Sequence, residues 1–452
     1  MRVKTFRNRR LSLLQSALAE HLYSTGEASR SAWDAAGHEK MQAVAAVGKG
    51  FEELTPEEPL PTEKELFKGA GPGSPAEGCA HAVIDLLFGG FRERIRAVAV
   101  LSPFGNCDAG WLKVIASYYE YVWFGGKIPY VAAESASDSA LDTLPERCQI
   151  GILGDWGTGT PTAQEVLQQL QKCRQSESDV PFVLLHLGDV YYSGTGLEFS
   201  QFKQGIRQCF ATEPVFTLAG NHDMYSGGSA YYQCVRDLND GTANAINTSF
   251  FCLRNRYWQF QAMDTGLHDR DPFEVSSSLT YLEPSEIKWH RQQLESAGNR
   301  KVVLLSHHQP FSAFSAVGKD QNNNEVYVNR GLLNAFNGKG LDPAGEDFLP
   351  NVAAWFFGHE HNTIFYQPFE GVKRARCMGS SAIPADTAEC DPYKIVDPRI
   401  PWMDKKLGIT NGLYHHGYAT IDLDGPSAHA RYYQYPAKDG IELMYEEKLE
   451  DS

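Results

Sequence analysis

The 452-residue chain has no apolar run near the roughly 18 residues that suggest a membrane-spanning helix, so no membrane span is expected. It also lacks a basic excess. Its 41 Lys and Arg stand against 56 Asp and Glu, a net charge of −15. That balance argues against a general binder of nucleic acid or anionic membranes, and solubility alone accounts for it. Nine cysteines, an odd number without close pairs, do not form a disulfide framework. Arg2, Lys4, Arg7, Arg9 and Arg10 lead into an amphipathic stretch from Leu11, not the continuous apolar segment of a secretory signal. The cytoplasm is therefore the expected compartment. There is no internal repeat, and Gly157-Thr158-Gly159-Thr160 lacks the Gly-Lys-Ser/Thr of a P-loop. What is present is a hydrophobic fraction of 42%, enough for a packed core in one large or two medium domains.

The first 145 residues carry few signals. Leu11, Leu14, Leu18 and Leu22 share one helical face in 9–24, and the Ala-rich stretch 31–48 suits a second helix. Residues 52–78, rich in Glu, Pro and Gly, read as a linker, and 79–101 as helix or strand pieces. Trp111, Val114, Ile115, Tyr118, Tyr119 and Val122 form a stripe at helical spacing, which suits core packing better than a binding surface. A polar stretch at 134–146 marks the boundary. Residues 1–145 are thus set apart as a partly helical region of open role, and 146–452 as the main domain.

From Gln149 the pattern is strand, polar loop, helix, repeated. Five apolar runs each end in a polar cluster. Ile150–Leu153 leads to Gly154-Asp155-Trp156-Gly157, and Phe182–Leu185 to Gly188-Asp189-Val190-Tyr191-Tyr192. Val215–Leu218 leads to Gly220-Asn221-His222-Asp223, Val302–Leu305 to Ser306-His307-His308, and Val352–Phe357 to Gly358-His359-Glu360-His361. Potential ligands thus gather at strand carboxyl ends, where open α/β sheets form their sites. Oxygen and imidazole donors without thiolate suit Fe, Mn or Zn. Helices are expected over 162–174, 199–210 and 284–297, and strands over 249–253 and 257–263. The segment 311–350 reads as one long loop, a rim, a lid or plain surface. The alternating stretch 417–443 is expected to close a second sheet against the first.

The ordered set Asp, Gly-Asp, Gly-Asn-His-Asp, His, Gly-His-x-His, over roughly 147–435, resembles the calcineurin-like metallophosphoesterase superfamily. Gly-Asp-Trp-Gly lacks the His most members carry two residues after that Asp, and Tyr192 stands three residues after Asp189. That exchange is most similar to purple acid phosphatases of the tartrate-resistant type. The resemblance implies a four-layer α/β/β/α sandwich of two mixed sheets, with the additional N-terminal region outside it. It implies two metal ions. Asp155, Asp189, Tyr192 and His361 would hold Fe(III), and Asp189, Asn221, His308 and His359 a divalent Fe, Zn or Mn. The expected reaction is hydrolysis of a phosphomonoester by metal-bound hydroxide, with a purple colour from Tyr-to-Fe(III) charge transfer. Two ions about 3.5 to 4 Å apart can clamp the phosphoryl oxygens and acidify water. Asp155, Asp189 and a phenolate Tyr192 leave such a pocket net positive, so an acidic protein can still draw in a phosphate ester.

His222 is the candidate general acid or transition-state cation, with Asp223 orienting or acidifying it. His307 competes with His308, which the His308-Gln309-Pro310 step favours. Tyr191 competes less well with Tyr192, because adjacent residues of an extended segment point to opposite faces. Packing suits Trp156, Tyr225 and Glu360, and hydrogen bonding or solvation suits His415 and His416. Two other functions stay open: a phosphodiesterase acting on cyclic nucleotides or phospholipid head groups, and a binding or scaffold protein that has lost catalysis.

Overall fold

The computed structural model describes residues 126–450 except 176–178, 273–278, 340–344, 384, 386, 388–390 and 438–439, together with Val114, Ser117, Tyr118, Tyr121 and Val122. Those five positions, which fall in the 111–123 stripe, are helical, whereas Trp111, Ile115 and Tyr119 lie outside the described residues. So do the helices expected over 9–24 and 31–48, the linker 52–78 and the pieces at 79–101. The described part falls almost entirely in one compact unit, Lys127–Arg270 with Ser277–Ser452.

In chain order its strands are β1 (Ala140–Leu141), β2 (Arg147–Leu153), β3 (Phe182–His186), β4 (Val215–Thr217), β5 (Phe251–Arg254), β6 (Trp258–Ala262) and β7 (Lys301–Ser306). They continue with β8 (Gly318–Lys319), β9 (Glu325–Val326), β10 (Val352–Phe357), β11 (Thr363–Phe365) and β12 (Ala375–Met378). The last five are β13 (Ile409–Thr410), β14 (Leu413–Tyr414), β15 (His416–Asp424), β16 (Ser427–Ala437) and β17 (Gly440–Lys448). The helices are α1 (Pro161–Gln175), α2 (Gly196–Cys209), α3 (Asn221–Met224), α4 (Ser229–Leu238), α5 (Pro284–Glu295) and α6 (Arg330–Asn337).

Two large mixed sheets result. One has the order β17-β16-β15-β2-β3-β4, the other β1-β5-β6-β7-β10-β12-β11. Strand alternation decides what lies between them. On β7, Val303 and Leu305 join the core shared with Ile150, Ile152 and Ile421 of the first sheet. Val302 and Leu304 face the other way, onto Leu294 of α5 and Leu332, Leu333 and Phe336 of α6. On the far side of the first sheet lie Val166, Leu167 and Leu170 of α1, with Phe199, Phe202 and Ile206 of α2. The architecture is the expected four-layer α/β/β/α sandwich. No helix among the described residues is long and apolar enough to cross a membrane.

Two expectations need correction. The C-terminal strands do not build a second sheet. β15 takes the free edge of β2, pairing Ile421 with Ile150, and β16 and β17 extend the same sheet. Alternation shows which face a strand buries but not which edge it joins. The 311–350 segment is also more than a loop. It holds the β8–β9 hairpin, α6 and a 3-10 turn at Leu349–Asn351. The signals for α6 were local. The Asn329 side chain accepts the Leu332 amide as N-cap, and Gly338 ends the helix at φ 71.

The strands that matter for function run parallel: β2, β3 and β4 in one sheet, β7 and β10 in the other. Their carboxyl ends deliver Asp155, Asp189, Asn221, His307 and His359 to one edge of the sandwich.

Candidate metal centre

The loops leaving these strands are held in unusual backbone shapes. Asp155, Asp189, His359 and His361 have φ of 58, 72, 69 and 47. A non-glycine residue held there costs on the order of 1–3 kcal/mol, and such residues cluster at functional sites. Crossed hydrogen bonds hold the shapes. Asp155 Oδ2 accepts the His359 amide at 2.8 Å, and Asp189 Oδ1 accepts the His222 amide at 3.0 Å. Asp223 Oδ1 accepts the Val190 amide at 2.8 Å, while its Oδ2 accepts those of Asp189 at 3.0 Å and Gly220 at 2.8 Å. Burial and the Asp189 carboxylate push the Asp223 pKa up, against the pull of those three amides.

The chain must also come close to the carboxylates. A Cβ at Gly220 would stand 2.0 Å from Asp189 Oδ1. Gly220→Ala should therefore displace the carboxylate, at a cost of about 1–3 kcal/mol from overpacking. The expected result is a lower melting temperature together with reduced metal binding. A variant that matches wild type in both measurements would remove the close-approach argument.

Two foci form around Asp189. At the first, the Tyr191 hydroxyl lies 2.9 Å from Asp155 Oδ1, 3.1 Å from Asp189 Oδ2 and 2.8 Å from His361 Nε2. At the second, His307 Nε2 lies 3.3 Å from Asp189 Oδ2, 3.2 Å from Asn221 Oδ1 and 3.2 Å from His359 Nδ1. Tyr225 accepts the Asn221 side-chain N–H at 2.5 Å, which turns the amide oxygen toward His307.

The donor chemistry fits cations. His307 Nδ1 is 2.8 Å from the Leu187 carbonyl and donates there. In the neutral ring, Nε2 then offers a lone pair to a place already faced by a carboxylate oxygen, an amide oxygen and another imidazole nitrogen. Burial alone would lower the His307 pKa, but Asp189 outweighs it and raises the value to about 9. The field that draws a proton to His307 is the field a metal ion would feel. Ligating atoms of Asp155, Asp189 and His307 lie within 4.8 Å of one another, as do those of His307, His308 and His359.

Asp155, Asp189, Asn221, His359 and His361 meet here. For Tyr192 and His308 a neighbour shares or takes the expected place. The phenol at the first focus belongs to Tyr191. Tyr192 reaches the loops through its main chain, its N–H donating to Glu198 Oε1 at 2.7 Å and its carbonyl accepting from His222 Nδ1 at 2.7 Å. The reason is the backbone: Gly188 at φ 98 and Asp189 at φ 72 break the extended segment, so a period of two cannot be counted across them.

His307 Nε2 meets Asp189 and Asn221 at the second focus, and a ligating atom of His308 lies within 4.8 Å of those of His307 and His359. His308 Nε2 lies 3.0 Å from Asp269 Oδ2 and its Nδ1 3.0 Å from Thr265 Oγ1. Strand β7 carried the signal. Extending the alternation of Val303 and Leu305 places His307 on the face between the sheets, and Trp355 on the other face donates to Ser306 Oγ at 2.8 Å. Thr265 and Asp269 had no signal, since they lie 43 and 39 residues from His308 without any motif.

Both Asp223 oxygens accept backbone amides, and His222 Nδ1 donates to the Tyr192 carbonyl. The Tyr192 carbonyl orients that ring, and Tyr191 and Tyr225 flank it at 4.4 and 4.7 Å between ring centroids. Burial lowers the His222 pKa, with Asp189 opposing. The remaining candidates are held in hydrogen bonds. Trp156 Nε1 donates to the Ala163 carbonyl, Glu360 accepts from Gln309 and Ser315, His415 meets Gln434 and Thr410, and His416 meets the Ser380 carbonyl.

Residues 148–363, which span all five loops, match the family model of calcineurin-like phosphoesterases. No curated protein sequence matches the chain. Among solved structures, GAP50, the anchor in the inner membrane complex of Plasmodium, is 16% identical with a TM-score of 0.42, covering 67% of this chain and 88% of its own. Vacuolar Protein Sorting 29 from Cryptosporidium parvum is 9% identical with a TM-score of 0.31, covering 67% and 97%. The 5'-nucleotidase precursor from Thermus thermophilus is 10% identical with a TM-score of 0.29, covering 67% and 54%. From the family match and the two facing mixed sheets, we conclude that the chain carries a calcineurin-like phosphoesterase domain, a metallophosphoesterase.

Proposed function

We propose that this domain hydrolyses phosphomonoesters at a two-metal centre in the manner of purple acid phosphatases. The observation that supports this most is the pair of foci sharing Asp189 Oδ2, each lined by lone-pair donors. Asp155, Asp189, Tyr191 and His361 would hold one ion, and Asp189, Asn221, His307 and His359 the other. Bound there, two ions would supply Lewis acidity toward a phosphoryl oxygen and a water acidic enough to attack near neutral or acidic pH.

The donor sets differ, and that difference supports unlike ions. Asn221 is neutral and suits a divalent Fe, Zn or Mn. Tyr191 adds a phenol to two carboxylates. Burial, Asp155 and Asp189 push that phenol well above its usual pKa, so it loses its proton only to a strongly attracting cation, which favours Fe(III). His222 sits beside both foci with Nδ1 donating to the Tyr192 carbonyl, which leaves Nε2 to hold or give a proton. Its lowered pKa means that it carries a proton for a leaving group under acidic conditions and loses it as pH rises.

The test is metal analysis of the purified protein combined with rates on nitrophenyl phosphate and bis(nitrophenyl) phosphate. The expected result is two ions per chain and faster turnover of the monoester. Faster turnover of the diester would replace the monoesterase reading by the phosphodiesterase one. A protein without metal or activity would leave a binding role.

A further inference from the structure

The segment 190–194, which carries the phenol of the first focus, is tied down along its length. The Tyr191 N–H donates to the Gly157 carbonyl at 2.9 Å, and the Gly194 N–H to the Val190 carbonyl at 3.1 Å. Asp223 Oδ1 accepts the Val190 N–H at 2.8 Å, and the Tyr192 carbonyl accepts from His222 Nδ1 at 2.7 Å. These ties run between main-chain groups or involve the motif loops themselves. The Tyr192 N–H is held differently. It donates to Glu198 Oε1 at 2.7 Å, a side chain on the first turn of α2.

Glu198 does more there than cap its helix. Thr195 is the N-cap of α2, and the two residues form a capping box. Glu198 Oε2 accepts the Thr195 N–H at 2.8 Å, and Thr195 Oγ1 accepts the Glu198 N–H at 3.4 Å. Those two bonds complete the motif. The same carboxylate also accepts the Ser193 N–H at 3.2 Å and, in the shortest of its contacts, the Tyr192 N–H. Its oxygens divide the work. Oε2 takes Thr195 and Ser193, and Oε1 takes Tyr192.

With both its N–H and its carbonyl engaged, the main chain of Tyr192 is fixed, and the phenol that reaches the first focus is that of Tyr191. The Tyr191 side chain is buried, its hydroxyl 2.9 Å from Asp155 Oδ1 and 2.8 Å from His361 Nε2, whereas Tyr192 is half-buried. We infer that Glu198 is a positioning residue that decides which of the two adjacent phenols enters the first focus, holding Tyr191 in and Tyr192 out. Partners behind a ligand commonly set its orientation in this way. Gly188 at φ 98 and Gly194 at φ 62 bracket the segment, so it has places to turn once the tie is cut. Tyr192 then competes for the place. The inference rests on the two-metal reading above for what the phenol does, but not for which phenol it is.

Glu198→Gln tests it with little change of shape. The amide oxygen can keep the donors gathered at Oε2, which sets the amide N–H₂ against the Tyr192 N–H and breaks that tie. Thr195→Ala is the control, since it weakens the helix cap and leaves Tyr192 alone. Nitration of the metal-free protein by tetranitromethane, mapped by peptide mass spectrometry, reads the two phenols without metal or turnover. In wild type, Tyr192 should be nitrated ahead of Tyr191. In Glu198→Gln the ratio of Tyr191 to Tyr192 nitration should rise by about tenfold, the order expected when a hydrogen bond to a carboxylate is lost. Thr195→Ala should lower the melting temperature and leave the ratio as it was. An unchanged ratio in Glu198→Gln overturns the inference. So does an equal rise in Thr195→Ala, which would mark general loosening.

The iron-loaded protein gives a second readout, the visible band of a phenolate on Fe(III). With Glu198 in place, Tyr191→Phe should remove the band. In the Glu198→Gln background the same substitution should leave a band, because Tyr192 takes the vacated place. A band lost to Tyr191→Phe in both backgrounds, or carried by Tyr192 in the presence of Glu198, overturns the inference. A colourless wild type would reject the ferric reading instead, and the nitration ratio would still decide which phenol Glu198 selects.

Discussion

His307→Ala should lose on the order of a thousandfold in phosphoester hydrolysis, because a bound ion supplies several kcal/mol of charge stabilisation and each tenfold is about 1.4 kcal/mol. The same variant should bind close to one metal ion per chain in place of two. His307 Nε2 faces Asp189, Asn221 and His359 at once. His308→Ala should behave differently. Its ring nitrogens meet Asp269 and Thr265, and its loss should cost about 10–100-fold, the usual range for a group that supports a ligand from behind, with both ions retained. Kinetics and metal analysis on the two variants decide the matter. If His308→Ala loses an ion while His307→Ala keeps both, the assignment reverses to the one the His-x-Pro step suggested.

That pair shows where the sequence stops being legible. The strands ending at 153, 186, 217, 306 and 357 could be read because each is a short apolar run closed by Gly or a polar residue, and burial on both faces leaves little freedom in such runs. Asp155, Asp189, Asn221, His359 and His361 could be read with them, since each lies two to four residues past a strand end. Choices between neighbours could not. Tyr191 and Tyr192 differ by one position, and a residue at positive φ before them resets which one faces inward. His307 and His308 raise the same problem, although there the strand alternation held the answer. Edge pairing and long-range partners were the other gap. Nothing local in 416–424 shows that its partner is β2, and nothing near Asp269 shows that it holds His308.

Tyr191→Phe should abolish the visible absorption of the iron-loaded protein, and Tyr192→Phe should leave it in place. The band belongs to whichever phenolate ligates Fe(III), and the Tyr191 hydroxyl is the one between Asp155, Asp189 and His361. Activity should fall with the colour, by about 10–100-fold if the loss resembles that of a group tuning a metal site. The ring itself is buried against His222 and fills space that Phe also fills, so folding should survive. A thermal melt separates that case from simple unfolding. If the band survives in Tyr191→Phe and disappears in Tyr192→Phe, the phenol that meets iron is the one three residues after Asp189, and the loop must rearrange when metal binds. If wild type is colourless and fully active with divalent ions alone, the first focus holds no ferric iron. Tyr191 would then remain a protonated phenol, as its burial between two carboxylates favours, acting as a hydrogen-bond donor to Asp155 and Asp189.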